Sequence, residues 1–290
     1  MRPDARTAAL TVAALVGFAA NSLLCRAALR PGHADAASFT AVRLATGALT
    51  LWILAARGHT PIRGAGSWPA AAALFAYAAP FSFAYVRIGA GVGALIAFGA
   101  VQTTMIAWAL RTGERPRPAE WAGIACAVAG LVFLVAGGLS APDPLGAALM
   151  LVAGVAWGAY SLMGRASVHP PLATTAANFA RALPLAVVLG LAAVALQAAH
   201  MSARGVLLAT ASGTIASGIG YSLWYAALRG LSATRAAVVQ LSVPVLTAAG
   251  GVLLLGETLT PRLMLSAAAI LGGVALAVLF RPPAAPVRSP

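Results

Sequence analysis

Tyr77, Phe81 and Tyr85 recur at i, i+4 and i+8, which stacks three rings on one helical face. Gly213, Ser217, Tyr221 and Tyr225 repeat that spacing later in the chain, with Trp224 beside them. Phe98, Gln102 and Met105 share a third face, Gln240 stands in an apolar run, and Asn21, Trp157 and Tyr160 lie inside two more. No catalytic constellation can be assembled from these types. Rings with a few amides and hydroxyls suit a zwitterion with an apolar side chain: rings pack the side chain and cover the ammonium, and polar groups fix the carboxylate. Taken singly, each ring also fits packing or anchoring at lipid headgroups, where Tyr and Trp are common. The set points to a binding cavity.

Charge adds two candidates and removes several functions. Arg43 and Arg181 fall within apolar runs, where each costs ~2.5 to 3.5 kcal/mol at a helix centre, so a functional role is the starting hypothesis. As cavity groups they attract a substrate carboxylate. As structural groups, in the first turns of their spans, they cap carbonyls or snorkel to the interface, and this role is the one expected. Asp4, Asp35, Glu114, Glu120, Asp143 and Glu257 all sit in tails, loops or run ends. A proton antiporter of cationic drugs needs a mid-membrane carboxylate, which this pattern lacks, and no Walker A loop for ATP-driven transport is present.

Gly89, Gly91 and Gly93 resemble part of a dinucleotide fingerprint, but Ala94 takes the place of its last glycine and no strand precedes it. Close helix approach explains them better. His33, His59, His169 and His200 lie in loops at unrelated spacings, so neither a metal site nor a cofactor is expected. Cys25 and Cys126 fall in apolar runs and give no disulfide framework. Pro80, Pro184 and Pro244 fall inside runs and each removes a helix hydrogen bond. Membrane helices tolerate this where a cavity or neighbour satisfies the freed carbonyl, which makes Pro80 and Pro244 candidate gating kinks.

The elements that must position these residues follow from composition. The 290 residues are 61% hydrophobic and 9% charged, against about 25% charged in globular domains. Too few polar side chains exist to cover a water-facing surface. Apolar runs occur near 7–29, 37–57, 68–87, 91–111, 119–138, 144–166, 175–196, 206–228, 233–254 and 261–280. At ~20 residues per span, ten helices leave room only for short loops and tails. That excludes a secreted or cytosolic enzyme, a nucleic-acid module and a receptor with a large head. The first run is too long for a signal-peptide core and reads as a retained span.

The net charge of +13 comes from nineteen arginines, most of them at run ends. Such placement indicates topology and contact with membrane lipids rather than nucleic acid. With a cytoplasmic N-terminus, Arg2, Arg6, Arg57, Arg63, Arg111, Arg115, Arg117, Arg165, Arg229, Arg235, Arg281 and Arg288 lie inside. Arg26, Arg30, Arg87, Arg204 and Arg262 lie outside. Twelve against five satisfies the positive-inside rule and places both termini in the cytoplasm.

The chain also repeats itself. Asn21 and Arg26 align with Tyr160 and Arg165 at an offset of 139, Arg43 with Arg181 at 138, and Gly113-Glu114 with Gly256-Glu257 at 143. Two units result, 1–140 and 141–290, each of five helices. An odd number of spans means the second unit is threaded oppositely to the first. Inverted repeats are the architecture of secondary transporters, whose halves exchange conformations to open a midplane site to either side.

Phe18-Ala19-Ala20-Asn21 with Arg26, Trp157-Gly158 with Arg165, Arg43 early in the second span, and the two Gly-Glu pairs resemble the motifs of the drug/metabolite transporter superfamily, EamA type. Phe18 and Ala19 depart from that family's Trp-Gly, and Tyr160 from its Asn. The resemblance covers nearly the whole chain and implies a ten-helix inner-membrane carrier. Within the superfamily, the chain is most similar to bacterial exporters of the aromatic amino acid YddG type.

The expected protein is therefore an all-α carrier of ten helices in two inverted five-helix repeats, exporting amino acids and related small metabolites by alternating access. Its substrate residues are Asn21, Tyr77, Phe81, Tyr85, Phe98, Gln102, Trp157, Tyr160, Ser217, Tyr221, Trp224 and Gln240. Helices one, three, four, six, eight and nine should line the cavity, with five and ten outside it. A monomer suffices for this mechanism. The alternatives are an exporter of drugs or nucleotide- or sugar-type metabolites in the same fold, and a non-transporting membrane scaffold or enzyme.

Overall fold

The computed structural model describes residues 5–111, 118–136, 141–231 and 239–279. They form α1 (Ala5–Leu29), α2 (Ala36–Arg57), α3 (Trp68–Arg87), α4 (Ala90–Arg111), α5 (Pro118–Val135), α6 (Pro144–Arg165), α7 (Pro171–Ala195), α8 (Ala203–Leu228), α9 (Ser242–Leu255) and α10 (Pro261–Leu279). The middle of α8, Ser212–Ile219, is wound as π-helix. Arg115, Arg117, Arg235 and the Gly113-Glu114 pair lie outside the described residues, as do Arg2, Arg281 and Arg288.

Helix starts are set locally. The side chains of Asp35, Ser67, Asp143 and Ser202 accept from the backbone N–H of Ser38, Ala70, Gly146 and Gly205. Each satisfies one of the donors that a first turn leaves open. Pro69, Pro144 and Pro171 occupy first-turn positions, where a missing N–H costs nothing. At the other end of α9, Gly256 closes the helix at φ +62, a left-handed conformation that costs glycine little.

Seven of the helices, α1 to α4 and α6 to α8, are long and apolar enough to cross a membrane, with three shorter apolar helices at Trp121–Leu134, Ser242–Leu255 and Pro261–Leu276. The sequence predicts ten full spans, and α5, α9 and α10 fall short of that length among the described residues. The ninth run also differs in shape. The chain turns at Leu241 and α9 starts at Ser242, so Pro244 lies in its first turn rather than inside a span. Proline cannot donate to the Gln240 carbonyl four residues back, which accounts for the break.

Packing follows helix pairs distant in sequence: α5 along α10, α3 against α6, α2 against α7 and the π segment, α4 against α6 and α9, and α1 against α8 and α9. One end of the bundle is tied by Arg26 to Glu257 (Nε–Oε1 3.3 Å) and Arg87 to Asp143 (Nη1–Oδ2 3.5 Å). There also the His200 amide donates to Asp35 (2.8 Å), and Arg262 donates to the carbonyls of Phe133 and Ala136 at the end of α5. At the opposite end Arg181 donates to Ala65 O (2.8 Å), Ser67 N–H donates to Asn178 (3.0 Å), and Gly230 abuts Thr7.

The six tryptophans divide between two environments. Trp52, Trp68, Trp108 and Trp121 are at least half exposed, and the first three lie within five residues of Arg57, Arg63 and Arg111 in sequence, as interfacial anchors do. Trp157 and Trp224 are buried in the bundle, exposed only 6% and 2%.

Candidate functional site

The buried centre is built around Asn21 of α1. Its Nδ2 donates to the Tyr77 hydroxyl (3.0 Å), and its Oδ1 accepts from Ser212 (2.7 Å) and Ser217 (3.5 Å). The Tyr221 hydroxyl also donates to Tyr77 (3.2 Å). A buried amide left without partners costs roughly 1 to 3 kcal/mol per group, so this network fixes α1, α3 and α8 in one relative position. On an α-helix, Ser212 and Ser217 lie about 140° apart at 100° per residue. The π turn between them widens the helix so that both reach one oxygen.

The same turn lets α2 approach. A Cβ at Gly213 would collide with Thr46 Oγ1 and the Arg43 carbonyl, so only glycine fits against that backbone.

Rings surround the network. Trp157 of α6 lies 4.8 Å from Tyr77, 4.7 Å from Tyr221, 5.5 Å from Tyr160 and 5.9 Å from Phe18, centroid to centroid. Phe81 continues the cluster to Tyr85 in an edge contact at 4.7 Å. Phe18 also packs edge-on against Trp224 (5.6 Å). Enclosed by these groups is a cavity of about 20 Å³, lined by Phe18, Asn21, Ser22, Tyr77, Phe81, Ala97, Phe98, Val101, Gly154, Trp157 and Tyr221. That is room for about one water. The site is nearly filled in this conformation, and any ligand larger than a water must part its walls.

Of the residues singled out from sequence, Asn21, Tyr77, Phe81, Phe98, Trp157 and Tyr221 face the cavity. Tyr85, Tyr160, Ser217 and Trp224 stand behind them in contact with lining groups. Gln102 and Gln240 are buried but absent from the described lining, to which α9 contributes nothing. Phe18 and Ser212 join the site without a sequence signal for it: Phe18 stands in sequence only as a departure from a family motif, and Ser212 lies off the face that an α-helical period defines.

The two intramembrane arginines part company. Each lies deeper than the first turn, Arg43 seven residues beyond the start of α2 and Arg181 ten beyond that of α7. Arg181 caps carbonyls, donating to Ala65 O and Ala177 O. Arg43 caps none. It is wholly buried, its guanidinium carbon lies 5.3 Å from the ring centres of both Tyr77 and Phe81, and its side-chain nitrogens have no hydrogen-bond partner.

A second cavity of about 240 Å³ opens at the end of the bundle that holds Thr7 and Gly230. Gly164, Arg165, Ser167, His169, Tyr225 and Arg229 are among its lining residues. Tyr225 forms its inner wall and touches Tyr160 (6.1 Å), which in turn touches Trp157. Both tyrosine hydroxyls are buried without a partner. Two rings therefore separate this vestibule from the central cavity.

Comparison with known proteins gives the following. The model of the EamA-like transporter family matches residues 6–136 and again 144–279. An uncharacterized protein of Pseudomonas aeruginosa is 52% identical over 281 residues, covering 94% of this chain and 95% of its own. The uncharacterized transporter YwfM of Bacillus subtilis is 28% identical over 85% of this chain and 86% of its own. The threonine/homoserine exporter RhtA of Escherichia coli is 36% identical over 162 residues, 53% of either chain. A solved crystal structure superposes with a TM-score of 0.68 at 22% identity, covering 94% of this chain and 99% of that one, and so shares the fold.

Proposed function

The chain belongs to the EamA-like transporter family, and on that premise we propose that it exports amino acids across the bacterial inner membrane by alternating access. Membership makes it a multi-pass membrane transporter and not an enzyme. The observation that carries the cargo is the buried cluster of Asn21, Tyr77, Trp157 and Tyr221, an amide and three hydroxyl- or imino-bearing rings around a nearly filled cavity. Such a wall has both the apolar area and the few placed polar groups that a small amphipathic zwitterion requires. RhtA, matching half the chain, supports an amino-acid cargo.

The carrier consists of ten helices in two inverted repeats, 1–140 and 141–290, with both termini cytoplasmic. The double match of the family model supports the duplication. The arginine-rich, tryptophan-bearing end near Thr7 supports the orientation. Asn21 and Tyr77 come from the first unit and Trp157 and Tyr221 from the second, so relative motion of the halves must remake their contacts.

Counterflow in proteoliposomes over labelled amino acids, from threonine and homoserine to phenylalanine, tests this reading. Wild-type protein should exchange at least one of them, and Trp157→Ala and Tyr221→Ala should each reduce the rate at least about tenfold, the loss expected for about 1.4 kcal/mol of binding. Exchange of nucleotide- or sugar-type compounds or drugs, with no amino acid moved, would replace it with the rival cargo.

A further inference from the structure

Arg43 is an anomaly of burial. A guanidinium carries five N–H donors and keeps its charge under all ordinary conditions, and enclosing one without an anion or acceptor is among the least favourable arrangements in a protein. Elsewhere in the bundle buried or half-buried arginines are paired: Arg26 with Glu257 and the Tyr85 carbonyl, Arg181 with two carbonyls. Arg43 alone, among the described residues, is a buried arginine whose nitrogens all lack a partner.

What holds it is the faces of Tyr77 and Phe81, and these same two rings line the central cavity. The rings thus stand between the guanidinium and the cavity, and their π faces offer the charge a weak substitute for an anion. The Tyr77 hydroxyl accepts from Asn21 and Tyr221, and both of these residues line the cavity that a ligand would enter.

We propose that Arg43 is the anchor for the carboxylate of the cargo, uncovered when Tyr77 and Phe81 separate. Among the described side chains no carboxylate is in position for the role: Asp35, Asp143 and Glu257 all serve at one end of the bundle. Charge along the approach agrees. The vestibule is lined by Arg165, Arg229 and His169, with no acid among its described residues, so it draws anions and disfavours cations.

The inference rests on the amino-acid reading but narrows it in a testable way. With a guanidinium for the carboxylate and only ring faces for the ammonium, recognition centres on the acid group. N-acylated amino acids qualify as ligands, and amines or amino alcohols do not.

The test is a binding measurement on purified full-length protein in detergent, by thermal shift and tryptophan fluorescence, independent of transport. Threonine, N-acetylthreonine and threoninol are the probes. The first two should bind, and threoninol, which keeps the ammonium but lacks the carboxylate, at least about tenfold more weakly, as expected for loss of a charge-assisted fork. Arg43→Gln should lose threonine affinity by a similar factor, and Arg43→Lys, with the charge but not the fork, by less. Equal binding of threoninol and threonine by wild-type protein would overturn the assignment even if Arg43→Gln does not fold. So would undiminished binding by a folded Arg43→Gln, or no binding of either carboxylate. Carboxylate-dependent binding with no amino acid moved in counterflow would sustain the anchor and remove the export reading.

Discussion

Removing the carboxylate of Glu257 gives the most direct measure of how the two halves of the chain are held together. Glu257 takes a hydrogen bond from the Ala90 amide on both oxygens (2.9 and 2.8 Å) and one from Arg26 Nε (3.3 Å). It thereby caps α4 and joins α1 to the turn after α9. The side chains are 11% (Arg26) and 15% (Glu257) exposed, so the pair is mostly shielded from water yet not fully enclosed. Deleting one partner of a buried pair costs about 3 to 5 kcal/mol, and this exposure places Glu257→Ala near the lower end, at about 3 kcal/mol. Glu257→Gln keeps the shape and one acceptor but loses the charge, for about 1 to 2 kcal/mol. Arg26 retains its bond to Tyr85 O (2.7 Å) throughout. A double-mutant cycle of Glu257→Gln with Arg26→Met, read by denaturant or thermal unfolding in detergent, should give a coupling energy of about 1 to 2 kcal/mol. Strict additivity would refute the latch and leave Glu257 as a helix cap alone.

Other perturbations test separate parts of the bundle. Asn21→Leu strands the Ser212 hydroxyl and leaves the Tyr77 hydroxyl with Tyr221 alone, and should destabilise by about 1 to 3 kcal/mol; an unchanged unfolding midpoint would mean that the network has no energetic role. Tyr225→Phe removes a buried hydroxyl without a partner, so stability should hold or rise by about 1 kcal/mol. A drop of several degrees in Tm would contradict that. Burial raises the Asp35 pKa, but hydrogen bonds from Ser38 and His200 outweigh it and hold the carboxyl below its ordinary value. The unfolded chain therefore takes up this proton first. The resulting stability is complete above the unfolded pKa of about 4 and is lost as pH falls through the folded value. Asp35→Asn should flatten the acid limb of a stability-versus-pH curve, and superimposable curves would refute the assignment.

Much of this arrangement can be read from residue order. Arginines at run ends mark the helices, and the i, i+4 spacing of Tyr77 and Phe81 places both against the cavity because α3 remains a regular helix through Pro80. Three things escape such reading. Arg26 and Glu257 each belong to a recognisable local pattern, yet they are 231 residues apart and nothing local pairs them. Ser212 is invisible to a period of 3.6 because the helix that carries it is wound more loosely. Arg43 and Arg181 look equivalent, and only the surroundings separate them: a carbonyl within reach of one and two ring faces around the other.

The loose winding at Ser212–Ile219 also sets the rotational phase of everything beyond it. Each residue of an α-helix turns the chain by about 100°, and the wider turn takes up a spare residue without adding that angle, so excising one residue here and letting the stretch tighten would leave Tyr221 and Trp224 near their present heading. The same excision in Ala203–Ala211, which has no slack, would swing both by that angle and dissolve the aromatic wall. The spare residue behaves like play in a gear train, and a single deletion should be tolerated better here than in the tightly wound turns just before it.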